Sequence, residues 1–492
     1  MAFAITQTCC TDATCVSVCP VNCIHPTPDE PGFGTTDLLY IDPDTCIDCG
    51  ACADACPVDA IFPAGDLTGP LRAYEEINAE YYAGRDVLAD VSVAPNFHRW
   101  SPPSFGRVLP SDFAPLDVAV VGTGPAGMYA VEDLLLHTNA RVTLIDRLPV
   151  AGGLIRYGVA PDHPSTKKIG ETFARFHDHP RLRLRLGAPA GPGLADRHDA
   201  VIYAVGATEA RRLGVPGEDL PGSLPAATVV GWYNGHPDVE PDAVDLSAER
   251  VVVVGTGNVA LDIARILTAE PDALAATSIA PEALARLRSA KVREVVVLAR
   301  RGPEAAAYTR PELLALAARG GLVVDAHDPR VAAAIEGDSP GGKAAWLREV
   351  PREKVDWSTP PPEGRRIVLR FHSAPVAFGG DTEVRAVVTS GPEGEVEIPA
   401  GRVVRAAGFR GVAVPGLPFD EQAGIVPNEA GRVTGRPGVY VAGWIKRGPS
   451  GGIGANKACA RETVGTLLED AVSGRLPARR KGNGARRLLG RA

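Results

Sequence analysis

The stretch Asp117-Val-Ala-Val-Val-Gly122-Thr-Gly124-Pro-Ala-Gly127-Met-Tyr-Ala130 decides the fold. An apolar run stops at a glycine, turns over a few residues and continues as a helix start. The glycines at 122, 124 and 127 suit a tight turn, a close backbone approach and close helix–strand packing. Nineteen residues past Gly127, the run Val142-Thr-Leu-Ile-Asp146 ends a second strand on an acid. Together these make a βαβ unit whose helix N-terminus suits a pyrophosphate and whose acid suits ribose hydroxyls.

The tetrapeptide Val-Gly-Thr-Gly recurs at 254–257, inside Arg250-Val-Val-Val-Val-Gly255-Thr-Gly257-Asn258-Val259-Ala260-Leu-Asp262. This is a second dinucleotide fingerprint, with Ala260 in the third glycine position. Its next strand, Val295-Val-Val-Leu-Ala-Arg300-Arg301, ends on two arginines where an NAD site offers an acid. Guanidinium forks suit a 2′-phosphate, so NADP(H) is expected. The long spacing from Gly255 to Arg300 predicts an inserted helical segment at about 268–290.

Two further glycine-rich loops accompany the first fingerprint. One is Pro149-Val-Ala-Gly-Gly153-Leu154-Ile-Arg156-Tyr-Gly158-Val-Ala-Pro161-Asp-His163, a backbone suited to lie on an isoalloxazine ring. The other is Gly443-Trp444-Ile-Lys-Arg447-Gly-Pro-Ser-Gly451-Gly452-Ile453-Gly454, where a Trp beside glycines suggests stacking on a cofactor. A helix is expected at 455–470. Alternating strand and helix patterns over 115–345 argue α/β with parallel sheets.

The cysteines are concentrated at the other end of the chain. Of ten, nine lie within residues 9–56 and the tenth is Cys459. The run Cys46-x2-Cys49-x2-Cys52-x3-Cys56-Pro57 has iron–sulfur spacing, in which the fourth cysteine reaches a second cluster. The run Cys9-x2-Asp12-x2-Cys15-x3-Cys19-Pro20 keeps the same register with Asp12 in the second place. Cys19, Cys46, Cys49 and Cys52 are therefore assigned to one [4Fe–4S] cluster. Cys9, Cys15 and Cys56 remain for a [3Fe–4S] or [4Fe–4S] cluster, with Asp12 or Cys10 available as a fourth ligand. Cys23 has no vacancy to fill and is expected to be a buried thiol. Zinc sites show separated cysteine pairs, and a cytoplasmic chain disfavours disulfides.

Charge and composition set the remaining bounds. The 492 residues carry a net charge of −8, with 45% hydrophobic and 22% charged residues, ordinary for a folded protein of several domains. Residues 1–71 hold ten acids and no Lys or Arg, so electrostatic steering onto a basic reductase face is expected. After Asp470 the chain is basic, with Arg475, Arg479, Arg480, Lys481, Arg486, Arg487 and Arg491. That tail, 475–492, is expected to be solvated and disordered, and no nucleic-acid partner is expected. No apolar run approaches the ~18 residues of a membrane span. The N-terminus has neither a basic region nor a long apolar stretch, so no signal peptide and a cytoplasmic location are expected.

Residues 115–470 resemble the adrenodoxin reductase type of ferredoxin–NADP reductase. The resemblance rests on Gly-Leu-Ile-Arg-Tyr-Gly-Val-Ala-Pro-Asp-His163, Gly-Asn-Val-Ala-Leu-Asp262, Ala-Arg-Arg-Gly-Pro303 and Gly-Trp444-Ile-Lys-Arg-Gly-Pro449. Residues 1–65 resemble two-cluster bacterial ferredoxins, so the whole is similar to fused ferredoxin/ferredoxin–NADP reductases. The implied organisation is a ferredoxin-like α+β domain at 1–66, a linker at 67–114, an FAD domain at 115–206 and 406–474, and an NADP domain at 207–405. The two dinucleotide domains are expected to be Rossmann-like and glutathione reductase-like.

The resemblance implies FAD contacts from Gly127, Asp146, Leu154, Trp444 and Gly451–Ile453, beside Gly122 and Gly124. It implies NADP contacts from Asn258, Val259, Arg300, Arg301, Glu312, Arg211 and Gly451, beside Gly255, Gly257 and Ala260. In the family, a His matching His163 and an acid at the end of a Glu-Leu-Arg-Glu run lie near the nicotinamide. Here the run reads Glu312-Leu-Leu-Ala315, so that second acid is missing. NADPH and an external ferredoxin or terminal redox enzyme are the implied partners. The rival reading is an NADPH-donating flavin and iron–sulfur subunit resembling the small subunit of glutamate synthase. A nucleotide-binding carrier without turnover is the non-enzyme alternative.

Overall fold

The computed structural model describes residues 2–84, 107, 109–191, 193–339 and 341–477. The chain forms two compact units. One comprises Met1–Pro103, Tyr157–Lys168 and Ala210–Phe409, the other Ser104–Arg156, Ile169–Glu209 and Arg410–Ala492.

In the first unit, the cysteine module is built on two small antiparallel ribbons. Phe3–Ile5 pairs with Ile61–Pro63, and Ile24–His25 pairs with Tyr40–Ile41. Two short helices, Thr14–Val18 and Ala51–Ala55, form within the two cysteine runs and pack on one another. Each ends on a cysteine in extended backbone, Cys19 and Cys56, whose N–H bonds back three residues to Val16 and Ala53. The register that the sequence repeats is thus repeated in the backbone.

Residues 67–82 do not behave as the start of a linker. They form a 3-10 turn at Gly69–Arg72 and a helix at Ala73–Tyr82. Leu67, Tyr74 and Ile77 share one apolar cluster with Ala4 and Leu38 of the module. A module of this size lacks apolar surface of its own, and this helix supplies it. Residues 85–106 of the expected linker lie outside the described residues, as do residues 478–492 of the basic tail.

The rest of the first unit is a seven-stranded parallel sheet. Its order is Ser223–Pro225, Arg402–Arg405, Arg250–Val254, Glu294–Leu298, Arg366–Arg370, Leu322–Asp325 and Arg352–Glu353. The strands Arg250–Val254 and Glu294–Leu298 are buried at every position, as a sheet covered on both faces requires. The helices Pro271–Leu274 and Pro281–Arg288 fill the long spacing before Arg300. A three-stranded antiparallel sheet over 374–399 is appended.

The second unit holds another seven-stranded sheet, in the order Asn428–Glu429, Arg432–Val433, Val439–Val441, Ala200–Tyr203, Asp117–Val121, Arg141–Ile145 and Leu182–Arg185. The pairings from Val439–Val441 onward are parallel. Its last helix runs over Ile453–Val472, beginning close to the expected 455. Each fingerprint strand lies inside its sheet, so its glycine turn opens at the carboxyl edge, where such sheets bind nucleotides. Among the described residues no helix is long and apolar enough to cross a membrane.

Tyr157–Lys168, expected with the FAD domain, belongs instead with the sheet around Arg250. The physical reason is ionic: Asp162 accepts two hydrogen bonds from the buried Arg265, at 2.8 and 2.9 Å.

Candidate cofactor and cluster sites

The cysteines gather in two groups. Cys9, Cys15 and Cys56 line one cavity together with Asp12 and Cys10, closed by Ile5, Leu39 and Ile61 among others. Three thiols plus one carboxylate or thiol are a donor set that fits an iron–sulfur cluster. Asp12 is buried, and its carboxylate accepts from the Thr14 N–H at 3.3 Å and from the Thr14 hydroxyl. Burial pushes the Cys9 thiol up to about 12 and raises Cys10 and Cys15 as well.

Cys52 interacts electrostatically with Cys46, Cys19 and Cys49, and together they form the second group. Cys23 is the expected buried thiol, and it lies beside this group. Its sulfur is 3.5 Å from Cys19 Sγ, and a hydrogen bond from it also reaches Cys46. These bonds hold Cys19 and Cys46 down to about 6. Backbone N–H groups support both sets in the same register, from Cys23 to Cys19 Sγ at 3.4 Å and from Ala60 to Cys56 Sγ at 3.2 Å.

At the first fingerprint, a Cβ on Gly127 would stand 1.9 Å from the Gly122 carbonyl oxygen, so only glycine lets helix and turn meet there. Asp146 accepts from the Thr123 N–H at 2.8 Å, the Thr123 hydroxyl at 2.5 Å and the Leu148 N–H at 2.9 Å. It pins the glycine turn and keeps room for one more donor, as a ribose hydroxyl would need. Leu154 is exposed at the start of Leu154–Tyr157. The indole N–H of Trp444 donates to the carbonyls of Ser450 and Gly451 at 3.1 and 3.2 Å. Trp444 thus braces the loop that delivers Gly452 and Ile453 to the N-terminus of a 20-residue helix.

At the second fingerprint, nothing lies within 4 Å of the Cβ position of Gly257, so the N-terminus of Asn258–Thr268 is open to a ligand. Asn258 is fastened by its side chain to Thr309, at 2.9 Å from Thr309 N. Val259 is half-buried and Ala260 fully buried. Gly255 ends the strand with its N–H on the Leu298 carbonyl. Arg300 and Arg301 are both exposed at the end of Glu294–Leu298. Arg211 is exposed, and its Nε donates to the Phe409 carbonyl at 3.0 Å.

Glu312, expected among the NADP contacts, takes part in an ion cluster around the buried Arg265. Its carboxylate accepts from Arg265 Nη1 at 3.2 Å and lies 3.8 Å from His163 Nδ1. Glu312 thus brings a carboxyl beside His163. Burial, reinforced by Asp262, pushes Glu312 up to about 8. Sequence reasoning missed Arg265 and Asp262 as parts of this cluster. The available signal was an arginine on the buried face of an apolar helix, between Ala264 and Ile266.

Two dinucleotide folds with a cysteine-rich cluster module define an iron–sulfur oxidoreductase of the pyridine-nucleotide class. Residues 39–62 match the 4Fe-4S binding domain family, and residues 116–307 match the pyridine nucleotide-disulphide oxidoreductase family. The chain is 47% identical over 505 residues to the probable ferredoxin/ferredoxin–NADP reductase of Mycobacterium tuberculosis, covering 97% of this chain and 85% of that one. The corresponding Mycobacterium leprae protein is 46% identical, over 96% of this chain and 87% of that one. The structure of Mycobacterium tuberculosis FprA in complex with NADPH superposes with a TM-score of 0.67 at 40% identity, covering 74% of this chain and 87% of that one. The chain belongs to the ferredoxin/ferredoxin–NADP reductase family.

Proposed function

We propose that this chain moves electrons between NADPH and an external redox carrier by way of FAD and two iron–sulfur clusters in its own N-terminal module. The observation that carries the reading is the presence, in one chain, of two glycine fingerprints and seven cysteines gathered in two groups of ligand spacing. When bound, the flavin exchanges a hydride with the nicotinamide and single electrons with the clusters.

The chain's own residues bind and orient. Gly122, Gly124, Gly127, Asp146, Leu154, Trp444 and Gly451–Ile453 hold FAD. Gly255, Gly257, Asn258, Val259 and Ala260 hold the NADP pyrophosphate and its surroundings, Arg300 and Arg301 take the 2′-phosphate, and Arg211 assists. His163, with Glu312 beside it, stands at the nicotinamide.

Cys19, Cys46, Cys49 and Cys52 hold a [4Fe–4S] cluster. Cys9, Cys15 and Cys56 would hold the second, with Asp12 or Cys10 available as a fourth ligand. That arrangement suits a [3Fe–4S] cluster or a [4Fe–4S] cluster with one labile iron. The module comprises residues 1–84, because helix Ala73–Tyr82 completes its core.

The test is an anaerobic titration of the purified holoprotein with NADPH and then NADH, following flavin absorbance and cluster EPR. Flavin reduction by NADPH at low concentration, poor reduction by NADH and a cluster response are expected. Failure of both nucleotides to reduce the flavin overturns the proposal.

A further inference from the structure

Arg265 is 3% exposed and lies among four groups that all face its guanidinium. Nε and Nη2 donate to the two oxygens of Asp162, and Nη2 also meets Asp262 Oδ1 at 2.6 Å. Nη1 donates to Glu312 at 3.2 Å. Nη2 lies 2.9 Å from His163 Nε2. Nη2 has two hydrogens for the three groups it meets, so one hydrogen is shared. A guanidinium cannot accept, so a hydrogen bond between Nη2 and His163 makes Nε2 the acceptor and puts the proton of the neutral ring on Nδ1. Nδ1 is the nitrogen that faces Glu312 Oε1 at 3.8 Å.

Side-chain ligand atoms of His163, Asp262 and Glu312 come within 4.8 Å of one another, a spacing that would suit a metal ion. Here the guanidinium is the cation. Burial and Arg265 also depress the basicity of His163, in keeping with a neutral ring. Burial works against the charge of Asp162, but its hydrogen bonds to Arg265 hold it below the usual carboxylate range.

We propose that Arg265 is a positioning residue of the reductase: it latches the Asp162–His163 loop onto the second fingerprint helix and fixes His163 with its proton on Nδ1, directed at Glu312. The proposal rests on the reading above that places His163 at the nicotinamide. With Nε2 occupied by Arg265, His163 does not collect a proton there during turnover. It serves as an oriented donor whose partner is Glu312. The latch also explains why a loop continuous in sequence with the first fingerprint groups with the second.

Two measurements on the full-length holoprotein test this. Hydrogen–deuterium exchange of the peptide covering 160–168 is compared in wild type, Arg265→Lys and Asp162→Asn. Lysine keeps the charge but cannot span Asp162 and His163 together, and asparagine weakens the fork while leaving Arg265 in place. Loosening of this segment by about tenfold in both variants is expected, with peptides of 453–472 unchanged. Unchanged exchange at 160–168 in both variants overturns the latch. Asp162→Asn also keeps the test decisive if Arg265→Lys does not fold.

The second measurement is the limiting rate of flavin reduction by NADPH in a double-mutant cycle with His163→Gln. Arg265→Lys is expected to lower that rate about tenfold with NADPH affinity nearly unchanged, because misplacement affects the reacting geometry. In the His163→Gln background it should add little. A full loss in both backgrounds shows that Arg265 does not act through His163 and overturns the assignment. If wild type itself is not reduced by NADPH, the functional reading fails, while the exchange data still decide the latch.

Discussion

The side-chain amide of Asn78 pairs with the backbone of Ile5 in both directions. Asn78 Oδ1 accepts from the Ile5 N–H at 3.1 Å, and Asn78 Nδ2 donates to the Ile5 carbonyl at 2.9 Å. The same oxygen accepts from the Ile41 N–H at 2.9 Å. One side chain on helix Ala73–Tyr82 therefore completes two strands that belong to different ribbons. Asn78→Leu would leave two buried N–H groups unpaired, a cost of about 1–3 kcal/mol for each. Cluster absorbance in Asn78→Leu should be lost at clearly lower urea than in wild type, with flavin absorbance little affected. Equal midpoints would show that the helix is not part of the module's core.

Asp12 occupies the second cysteine position of the first run and lines the cavity of Cys9, Cys15 and Cys56. Asp12→Cys restores four thiolates in the repeating register. Any three-iron EPR signal of the oxidised protein should disappear, and the iron content should rise by about one atom per chain where the native cluster has three irons. Cys10→Ser should leave the spectrum unaltered. The reverse pattern would assign the fourth ligand to Cys10.

Arg300 and Arg301 stand exposed at the end of a central strand, with no carboxylate in the place an NAD site needs one. Replacing both with alanine removes charge-assisted hydrogen bonds worth about 1.5–3 kcal/mol each. KM for NADPH should rise by roughly 10²–10⁴-fold, while KM for NADH stays put. A parallel loss for both nucleotides would place the arginines elsewhere in the binding energy.

Asp470 gathers Arg432 at 2.7 Å, the Tyr440 hydroxyl at 2.8 Å and Arg475 at 2.7 Å. These bonds, the Arg432 pair foremost, hold its carboxyl down to about 2. Because the folded value lies below the unfolded one, the stabilisation is present above about pH 4–5 and lost as pH falls toward 2. Asp470→Asn should cost about 1–3 kcal/mol at pH 7. Thermal melts of the two proteins should draw together below about pH 4 and converge as the pH approaches about 2. A gap that stays constant with pH would mean that packing, not the charge, is responsible.

Several features were legible in the residues because they are local. Asp117–Val121 into Gly122 is a strand and a turn by its own composition, and the second fingerprint repeats it. The cysteine spacing reports a loop geometry that needs no distant partner. The extra helical segment before Arg300 could be counted from spacing alone.

Other features were not legible, because they join positions far apart in the chain. Residues 67–82 read as turn-rich linker, yet Tyr74, Ile77 and Asn78 lie on one helix face against Ala4, Ile5 and Ile41. The polar Asn78 broke the apolar stripe and concealed it. The motif around Glu312 did not show which side chains surround it. Its partners, Arg265 and His163, lie 47 and 149 residues away.

The sequence by itself determined two nucleotide folds, an iron–sulfur module and the family, since glycine turns, strand runs and cysteine spacing are short-range constraints on backbone geometry. The tertiary structure decided where the cysteine module ends, which unit holds the His163 loop and which acid faces that histidine. Those outcomes depend on burial and charge pairing between distant segments, and an ion such as Arg265 finds its partners only when the fold removes all of them from water together.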